Sequence, residues 1–488
     1  MGRSIGTDPL VTPRPAMYRL AIPALLLATA CADEPTPPSP GPPDVLLVTI
    51  DTLRADHTSL HGYERRTTPV LESLAAEGVW LSNAYAPTST TAPSVASLMT
   101  SVYPRTHGVT SNGRLLPRQL PTLAENLRSH GYTTAAFVSS IVVSSPVGFD
   151  RGFDHYDDDF SEADGTLQLK EWHGLDVEGG MTDRRADDTT DRAIRWLAGR
   201  PLAAGPTFVW VHYMDPHEPY VPPLAFGDPF AAAAHPRESL QRAIARYDTE
   251  IAFVDQQLGR LLDSFDARAR ANGSLVAVTA DHGEAFLDHG WRGHGAQLYE
   301  ESVRTPLVFR YRHVLEARGE IRHPAGLVDV ALTLLGLLDA EPDPTVIVEG
   351  NDLTPVLLGD LPADPERPIF FQRQSYARDG RLAPLALYDP GRVTFGAGLA
   401  IAGAKHGIRI GRWKYLEAPA ERTARELYDL GADPRERLNL ISADPETAAR
   451  LAARLAAHRA DPAATAPALD AHQAALEALG YVEPAADP

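Results

Sequence analysis

The chain has 488 residues, 44% hydrophobic and 22% charged, a balance that supports one large or two moderate folded domains and excludes a bundle of membrane spans. Its 64 acidic and 45 basic side chains give a formal net charge of -19, which excludes a general nucleic-acid binder, because phosphate neutralisation needs a basic surface. One cysteine leaves no internal disulfide.

The first element in chain order is an address. Arg19 precedes an apolar run over residues 20–30, short of the ~20 apolar residues a spanning helix needs, and the run ends in Ala28-Thr29-Ala30-Cys31. Residues 1–31 therefore read as a signal segment. Cys31 after small residues resembles a bacterial lipobox, which predicts an exported lipoprotein, periplasmic or at the cell surface, held to a membrane through a lipid on Cys31. A plain cleaved signal and an uncleaved anchor are the competing readings, and Met17 competes with Met1 as the start. Residues 32–43 are proline-rich and read as a semi-rigid tether.

From residue 44 onward short apolar runs alternate with longer amphipathic stretches, the pattern of βαβ units around a mostly parallel sheet. Strands are expected over 45–50, 133–138, 207–212, 275–279 and 307–311, and helices over 68–77, 120–130, 187–198 and 246–265. Between the first two strands, Thr90-Thr91-Ala92-Pro93-Ser94 runs into a helix-compatible stretch ending at Thr100. Proline favours the first helical position, so Thr91 is expected just before a helix start, where free N–H groups and the positive dipole end favour an anion. Residues 154–164, acidic and aromatic, read as a solvated loop, with a lid over the site as the alternative. Residues 371–395, with Gln372-Arg373-Gln374-Ser375-Tyr376, are placed by position alone as substrate-recognition residues. Residues 447–458 read as an amphipathic helix packed on the body. The division expected is a catalytic α/β domain over 44–365, a C-terminal subdomain over 366–442 and a helical tail over 443–488.

Ligands of open α/β sheets bind beyond the carboxyl ends of the strands. The polar residues there are Asp51, Asp215 with His217, and Asp281 with His282. Asp51, Asp281, His282 and the Thr91 hydroxyl together supply four ligands to one divalent cation. A threonine needs such activation to act as a nucleophile, because the cation lowers its hydroxyl pKa and neutralises an ester oxygen. Taken alone, a strand-end aspartate reads as a helix cap or turn residue. His217, on a proline-rich loop, and His294, between Gly293 and Gly295, complete an anion pocket, one donating to the oxyanion and the other protonating the leaving oxygen. A lone loop histidine among the chain's 17 is otherwise a surface residue. The partner expected is a small anionic ester.

These segments resemble the sulfatase family of the alkaline phosphatase superfamily. The matching stretches are Val48-Thr49-Ile50-Asp51-Thr52-Leu53-Arg54-Ala55-Asp56-His57, Ala92-Pro93-Ser94 through Thr106-His107-Gly108-Val109, Met214-Asp215-Pro216-His217-Glu218-Pro219-Tyr220, Asp281-His282-Gly283-Glu284, Gly293-His294-Gly295 and Arg304-Thr305-Pro306-Leu307. Arg412-Trp413-Lys414-Tyr415 and Glu426-Leu427-Tyr428-Asp429-Leu430 match the family's closing subdomain, so the likeness runs in order from about residue 44 to 442. It implies an α/β fold with a large, mostly parallel but mixed sheet flanked by helices, a metal site at one sheet edge, and a small α+β subdomain of short antiparallel sheet plus helix. It assigns Asp51, Asp281 and His282 to the metal, Thr91 to the nucleophile position, and His217 and His294 to the ester pocket.

Two departures shape the expected chemistry. Sulfatases of the familiar kind carry Cys or Ser at the Thr91 position, oxidised to formylglycine, and Arg at the Val95 position. Oxidising the secondary carbinol of threonine would give a ketone, so no formylglycine is expected. Thr52 replaces a second Asp, and the remaining ligands suit one Zn²⁺ or Mn²⁺ better than Ca²⁺. Phosphotransferases and phosphodiesterases of the superfamily use a metal-bound Thr. The expected function is thus an exported metal-dependent hydrolase or transferase of phosphoester, phosphodiester or phosphonate groups acting through Thr91. The alternatives are a sulfatase independent of formylglycine and a non-catalytic anion-binding homologue.

Overall fold

The apolar run that follows the tether forms strand β1 (Asp44–Ile50), buried along its whole length. The computed structural model describes residues 41–460, apart from 162–164, 166–170, 173–174, 177–182, 231–239, 269–272, 345, 374–376, 379–380, 383–402 and 420–423. The signal segment, Cys31 and most of the tether lie outside the described residues, as do most of residues 374–402 and the tail beyond 460.

Seven further strands join β1: β2 (Val79–Leu81), β3 (Thr133–Val138), β4 (His155–Asp157), β5 (Thr207–Tyr213), β6 (Ser274–Ala280), β7 (Leu307–Tyr311) and β8 (Gly319–Ile321). They form one sheet in the order β8-β2-β7-β6-β1-β5-β3-β4. β1 is parallel to β5 on one side and to β6 on the other, and β3 and β4 continue in parallel. β7 runs antiparallel to both β6 and β2, so the sheet is mixed.

Helices cover both faces, which is why β1, β5 and β6 are near-continuous apolar runs with no alternation. The helices are α1 (Pro69–Ala76), α2 (Thr91–Thr100), α3 (Leu123–Ser129), α4 (Ala186–Ala198), α5 (Leu240–Asp266) and α6 (Val330–Leu337). Val45, Leu47, Phe208 and Trp210 face a core shared with α2, α3 and α6. The alternate residues Leu46, Val48, Val209 and Val211 face α1, α4 and α5.

The boundaries depart from expectation where side chains cap the backbone. α3 starts at Leu123, not near 120, because Thr122 and Glu125 form a reciprocal capping box: Glu125 N–H donates to Thr122 Oγ1 at 3.1 Å and Thr122 N–H donates to Glu125 Oε2 at 2.8 Å. The expectation of a solvated loop over 154–164 is corrected in its first part. His155–Asp157 is the last strand of the main sheet, paired with β3, and the Asp157 carboxylate holds the fully buried Arg184 guanidinium at 2.6 Å. That ion pair explains why an acidic stretch can close a sheet edge.

A second, antiparallel sheet follows, made of β9 (Ile369–Arg373), β10 (Lys405–Ile410), β11 (Trp413–Glu417) and β12 (Arg425–Asp429) in that order. Helix α7 (Pro445–Ala460) buries Leu451 and Leu455 against Ile408, Tyr415 and Leu427 of this sheet. The fully buried Lys414 of β11 pairs with Glu300 and Glu436 at 3.0 Å each, tying the small sheet to the loop after β6. At the start of the stretch expected to recognise substrate, Arg373 is buried and donates to the carbonyls of Ala296 and Gly403, both at 2.7 Å.

Candidate functional site

The two central strands β1 and β6 end side by side, and their next residues are Asp51 and Asp281. The site thus lies at the carboxyl ends of central strands, not at a lateral edge of the sheet. The exit from β1 is a tight turn in which Thr52 takes φ 54, a region that β-branched residues avoid. Its backbone is held from both sides: Thr52 N–H donates to Asp281 Oδ1 at 3.1 Å, and Tyr247 Oη donates to Thr52 O at 2.6 Å. This turn brings the two carboxylates into one pocket.

Asp281 Oδ1 also accepts the His282 N–H at 2.7 Å, which leaves Oδ2 free to face the pocket. His282 Nδ1 lies 2.9 Å from the Gly283 carbonyl. A carbonyl only accepts, so Nδ1 carries the proton and Nε2 turns its lone pair inward. Nε2 is 3.7 Å from Asp51 Oδ1 and 3.5 Å from Asp281 Oδ2. Gly283 permits this packing, since a Cβ there would lie 2.1 Å from the Glu301 carbonyl oxygen.

Thr91 enters from α2. Its Oγ1 lies 3.4 Å from Asp51 Oδ2 and 3.2 Å from His282 Nε2. The helix start differs from expectation: Thr91 is the first helical residue and Thr90 the cap, so Pro93 is third. Proline is tolerated there because N–H groups of the first turn have no intrahelical acceptor. The expected anion cradle is also narrower. Ala92 N–H donates to Asn112 Oδ1 at 3.0 Å, Ser94 N–H donates to Thr90 O at 3.1 Å, and Pro93 has no N–H.

His217 and His294 meet across the mouth of the site, their Nε2 atoms 3.0 Å apart. His217 Nδ1 lies against the Glu218 carbonyl, which only accepts, so Nδ1 carries the His217 proton and its Nε2 turns a lone pair to His294. The His294 ring is 4.5 Å from that of His282, which places the pair beside the carboxylate cluster. Asp215 does not join them. It caps α4 by accepting the Ala186 N–H at 2.8 Å, a structural role that the strand-end argument alone could not exclude.

Electrostatics and unmet bonding capacity agree on what the pocket lacks. Burial, with Asp281 and Glu284 nearby, pushes the Asp51 carboxyl well above the usual range, and burial raises Asp281 to about 6. Burial lowers His282 and His217 to about 4 and depresses His294 as well. Among the described residues, the basic side chains within 4 Å of the two carboxylates are imidazoles, not Lys or Arg. Asp51 Oδ1 and Asp281 Oδ2 are buried without a hydrogen-bond partner. Asp51, Asp281 and His282 each offer a ligand atom, and these atoms lie within 4.8 Å of one another. Two orphaned carboxylate oxygens and an inward lone pair, with no cationic side chain to match, fit a divalent cation.

Three buried neighbours were not singled out from the sequence. His212 lies inside the run expected as strand 207–212, and its Nε2 is 3.8 Å from Asp51 Oδ2. Glu284 accepts from Tyr220 Oη at 3.1 Å, and burial raises it to about 8. Tyr247 holds the Thr52 turn. A histidine in an otherwise apolar strand was the available signal for the first, and the acid next to Asp281-His282 for the second.

The sulfatase family profile matches residues 43–340. Steryl-sulfatase of Mus musculus is 26% identical over 577 residues, covering 94% of this chain and 88% of the mouse protein. A solved protein in complex with its substrate D-glucosamine-2-N,6-O-disulfate superposes with a TM-score of 0.67 at 20% identity, over 86% of this chain and 99% of that one. The phosphonate monoester hydrolase of Agrobacterium radiobacter superposes with a TM-score of 0.62 at 23% identity, over 86% and 95% of the two chains. Given the match over residues 43–340, the mixed sheet, and the carboxylates and histidine gathered at its central strand ends, the chain belongs to the sulfatase family of the alkaline phosphatase superfamily, a family of hydrolases.

Proposed function

We propose that this enzyme cleaves or transfers a phosphoester, phosphodiester or phosphonate group through Thr91, with Asp51, Thr91, Asp281 and His282 as ligands of one divalent ion, Mn²⁺ or Zn²⁺. The observation that carries the proposal is the Thr91 hydroxyl, buried at a helix start within 3.4 Å of Asp51 and 3.2 Å of His282, in a position where formylglycine cannot form. The bound ion would lower the hydroxyl pKa and neutralise a non-bridging oxygen of the ester. Thr91 Oγ1 then attacks phosphorus in line, its proton passing to Asp51 Oδ2, while the bond to the leaving oxygen breaks. His294, paired with His217 beside the carboxylates, protonates the leaving oxygen. Water or an acceptor alcohol, losing its proton to His294, then attacks phosphorus, the bond to Thr91 Oγ1 breaks, and Asp51 returns the proton that restores the hydroxyl.

The test is a panel of aryl phosphate, phosphodiester, phosphonate and sulfate esters, assayed with Mn²⁺ and with Zn²⁺, together with mass spectrometry of the peptide that contains Thr91 after a rapid acid quench. Phosphoryl or phosphonyl turnover with the group found on Thr91 is the expected result. Turnover confined to sulfate esters, with Thr91 never modified, would sink the proposal and favour the formylglycine-independent sulfatase.

The same reading extends to location. Among the described residues no helix is long and apolar enough to cross a membrane. The Arg19 start, the apolar run and Ala28-Thr29-Ala30-Cys31 support export and tethering by a lipid on Cys31. A Cys31→Ala protein is expected in the soluble fraction, and one that stays with the membrane would refute the lipid tether.

A further inference from the structure

His212 has no part in the chemistry above, yet it is fully buried beside it. It lies on β5 directly opposite Thr49 of β1, and Trp210, two residues back, shares its face of the sheet. Trp210 Nε1 donates to Thr49 Oγ1 at 3.0 Å. His212 Nδ1 lies 2.9 Å from the same oxygen. Because an indole nitrogen can only donate, it fills one lone pair of the hydroxyl. Among the described residues His212 Nδ1 is the remaining partner of that hydroxyl, so the Thr49 proton goes to Nδ1 and the imidazole proton stays on Nε2. Nε2 is buried, has no hydrogen-bond partner and lies 3.8 Å from Asp51 Oδ2. The other oxygen of that carboxylate, Oδ1, is the one without a partner on the side of His282.

We propose that Trp210 and Thr49, through their hydrogen bonds, hold the His212 ring so that its Nε2–H faces Asp51 Oδ2 across 3.8 Å, a relay that positions the carboxylate by electrostatic attraction and presents Oδ1 to the cation. The relay rests on the metal-dependent reading of the site. His212 is a positioning residue and not a ligand: its inward atom carries the proton and has no lone pair to offer. An N–H left unpaired in this setting is costly, and the Asp51 carboxylate, 3.8 Å away, is an acceptor on its side. Partners of this kind orient a ligand and raise its basicity.

The experiment is a Mn²⁺ titration of the full chain, following free Mn²⁺ by its electron paramagnetic resonance signal, on the wild type and on His212→Leu, His212→Gln and Thr49→Val. His212→Leu and Thr49→Val are expected to raise the Mn²⁺ dissociation constant roughly 10- to 100-fold, whereas His212→Gln, which keeps an N–H near the Nε2 position, stays within about threefold of the wild type. Urea unfolding of each metal-free protein runs alongside. A merely structural histidine would shift the unfolding midpoint and leave the affinity of the folded fraction unchanged, and that result overturns the relay. Should the leucine variant not fold, Thr49→Val carries the same comparison, since valine is close to threonine in shape. Glutamine as weak as leucine, with Thr49→Val at wild-type affinity, would mean direct ligation and would also overturn it. A wild type that binds no Mn²⁺ overturns the metal reading first and the relay with it.

Discussion

Replacing Thr91 with alanine is expected to lower kcat/KM for the best phosphoryl ester by at least about 10⁴-fold, the scale seen when a nucleophile acting in concert with its activating groups is removed. The loss belongs to chemistry and not to folding. Thr91 is the first residue of α2, where alanine is compatible with the helix, and its hydroxyl faces Asp51, Asp281 and His282. The stability cost is then that of a small buried group, about 1–2 kcal/mol. Asp51, Asp281 and His282 remain, so the variant still binds Mn²⁺, more weakly for the loss of one ligand. Parallel measurements of turnover, Mn²⁺ binding and urea midpoint separate the three quantities. Turnover within about tenfold of the wild type would place the nucleophile elsewhere. Thr91→Ser keeps a hydroxyl at the same backbone position and is expected to retain measurable activity.

Asp281→Asn is expected to abolish useful metal binding and, in the metal-free protein, to increase stability near neutral pH. An unfolded Asp281 loses its proton near the ordinary value of 3.8, whereas burial holds the folded one to about 6. Between those values the folded state binds more protons, so stability falls as pH rises. The contribution is fully present below the unfolded value and is gone above the folded one, a swing of about 2–3 kcal/mol. Asp51 is shifted in the same direction and adds to the trend. A divalent ion opposes it. Both carboxylates must be ionised to bind, so affinity climbs across the same window, and Mn²⁺ at about 100 times its dissociation constant restores about 2.7 kcal/mol.

Asparagine keeps the oxygen that accepts from Thr52 and His282 and removes the charge. The metal-free variant should therefore be about 1–3 kcal/mol more stable than the wild type near pH 7, and bind Mn²⁺ at least about 100-fold more weakly. Urea midpoints of both proteins, measured with chelator and with Mn²⁺ from about pH 4.5 to about pH 7.5, isolate the Asp281 part as the difference between the two curves. A metal-free variant less stable than the wild type at neutral pH would show that the buried charge is already compensated.

What could be read without the structure follows from burial on both faces. β1, β5 and β6 are central and parallel, covered by helices on each side, so they are legible as the uninterrupted apolar runs 45–50, 207–212 and 275–279. Strand ends are then the places to look, and Asp51, Asp281 and His282 follow directly. The three-residue strands β2, β4 and β8 have no such signature, because three residues carry no period and their pairing is decided by neighbours. The start of α2 slipped for a related reason: proline favours the first helical position but is tolerated throughout the first turn, and Asn112, which takes an N–H of that turn, lies outside the helix.

The sequence by itself determined the order of the long elements and the identity of the polar residues at the strand ends, since these depend on spacing along one chain, and its motifs carried the resemblance to the family. Tertiary structure alone decided that Asp215 caps a helix while Asp281 faces the pocket, that His217 and His294 touch, and that His212 stands beside Asp51. Thr49 and His212 are 163 residues apart, and they meet because β1 pairs with β5 in one register; a slip of one residue would turn His212 to the other face of the sheet.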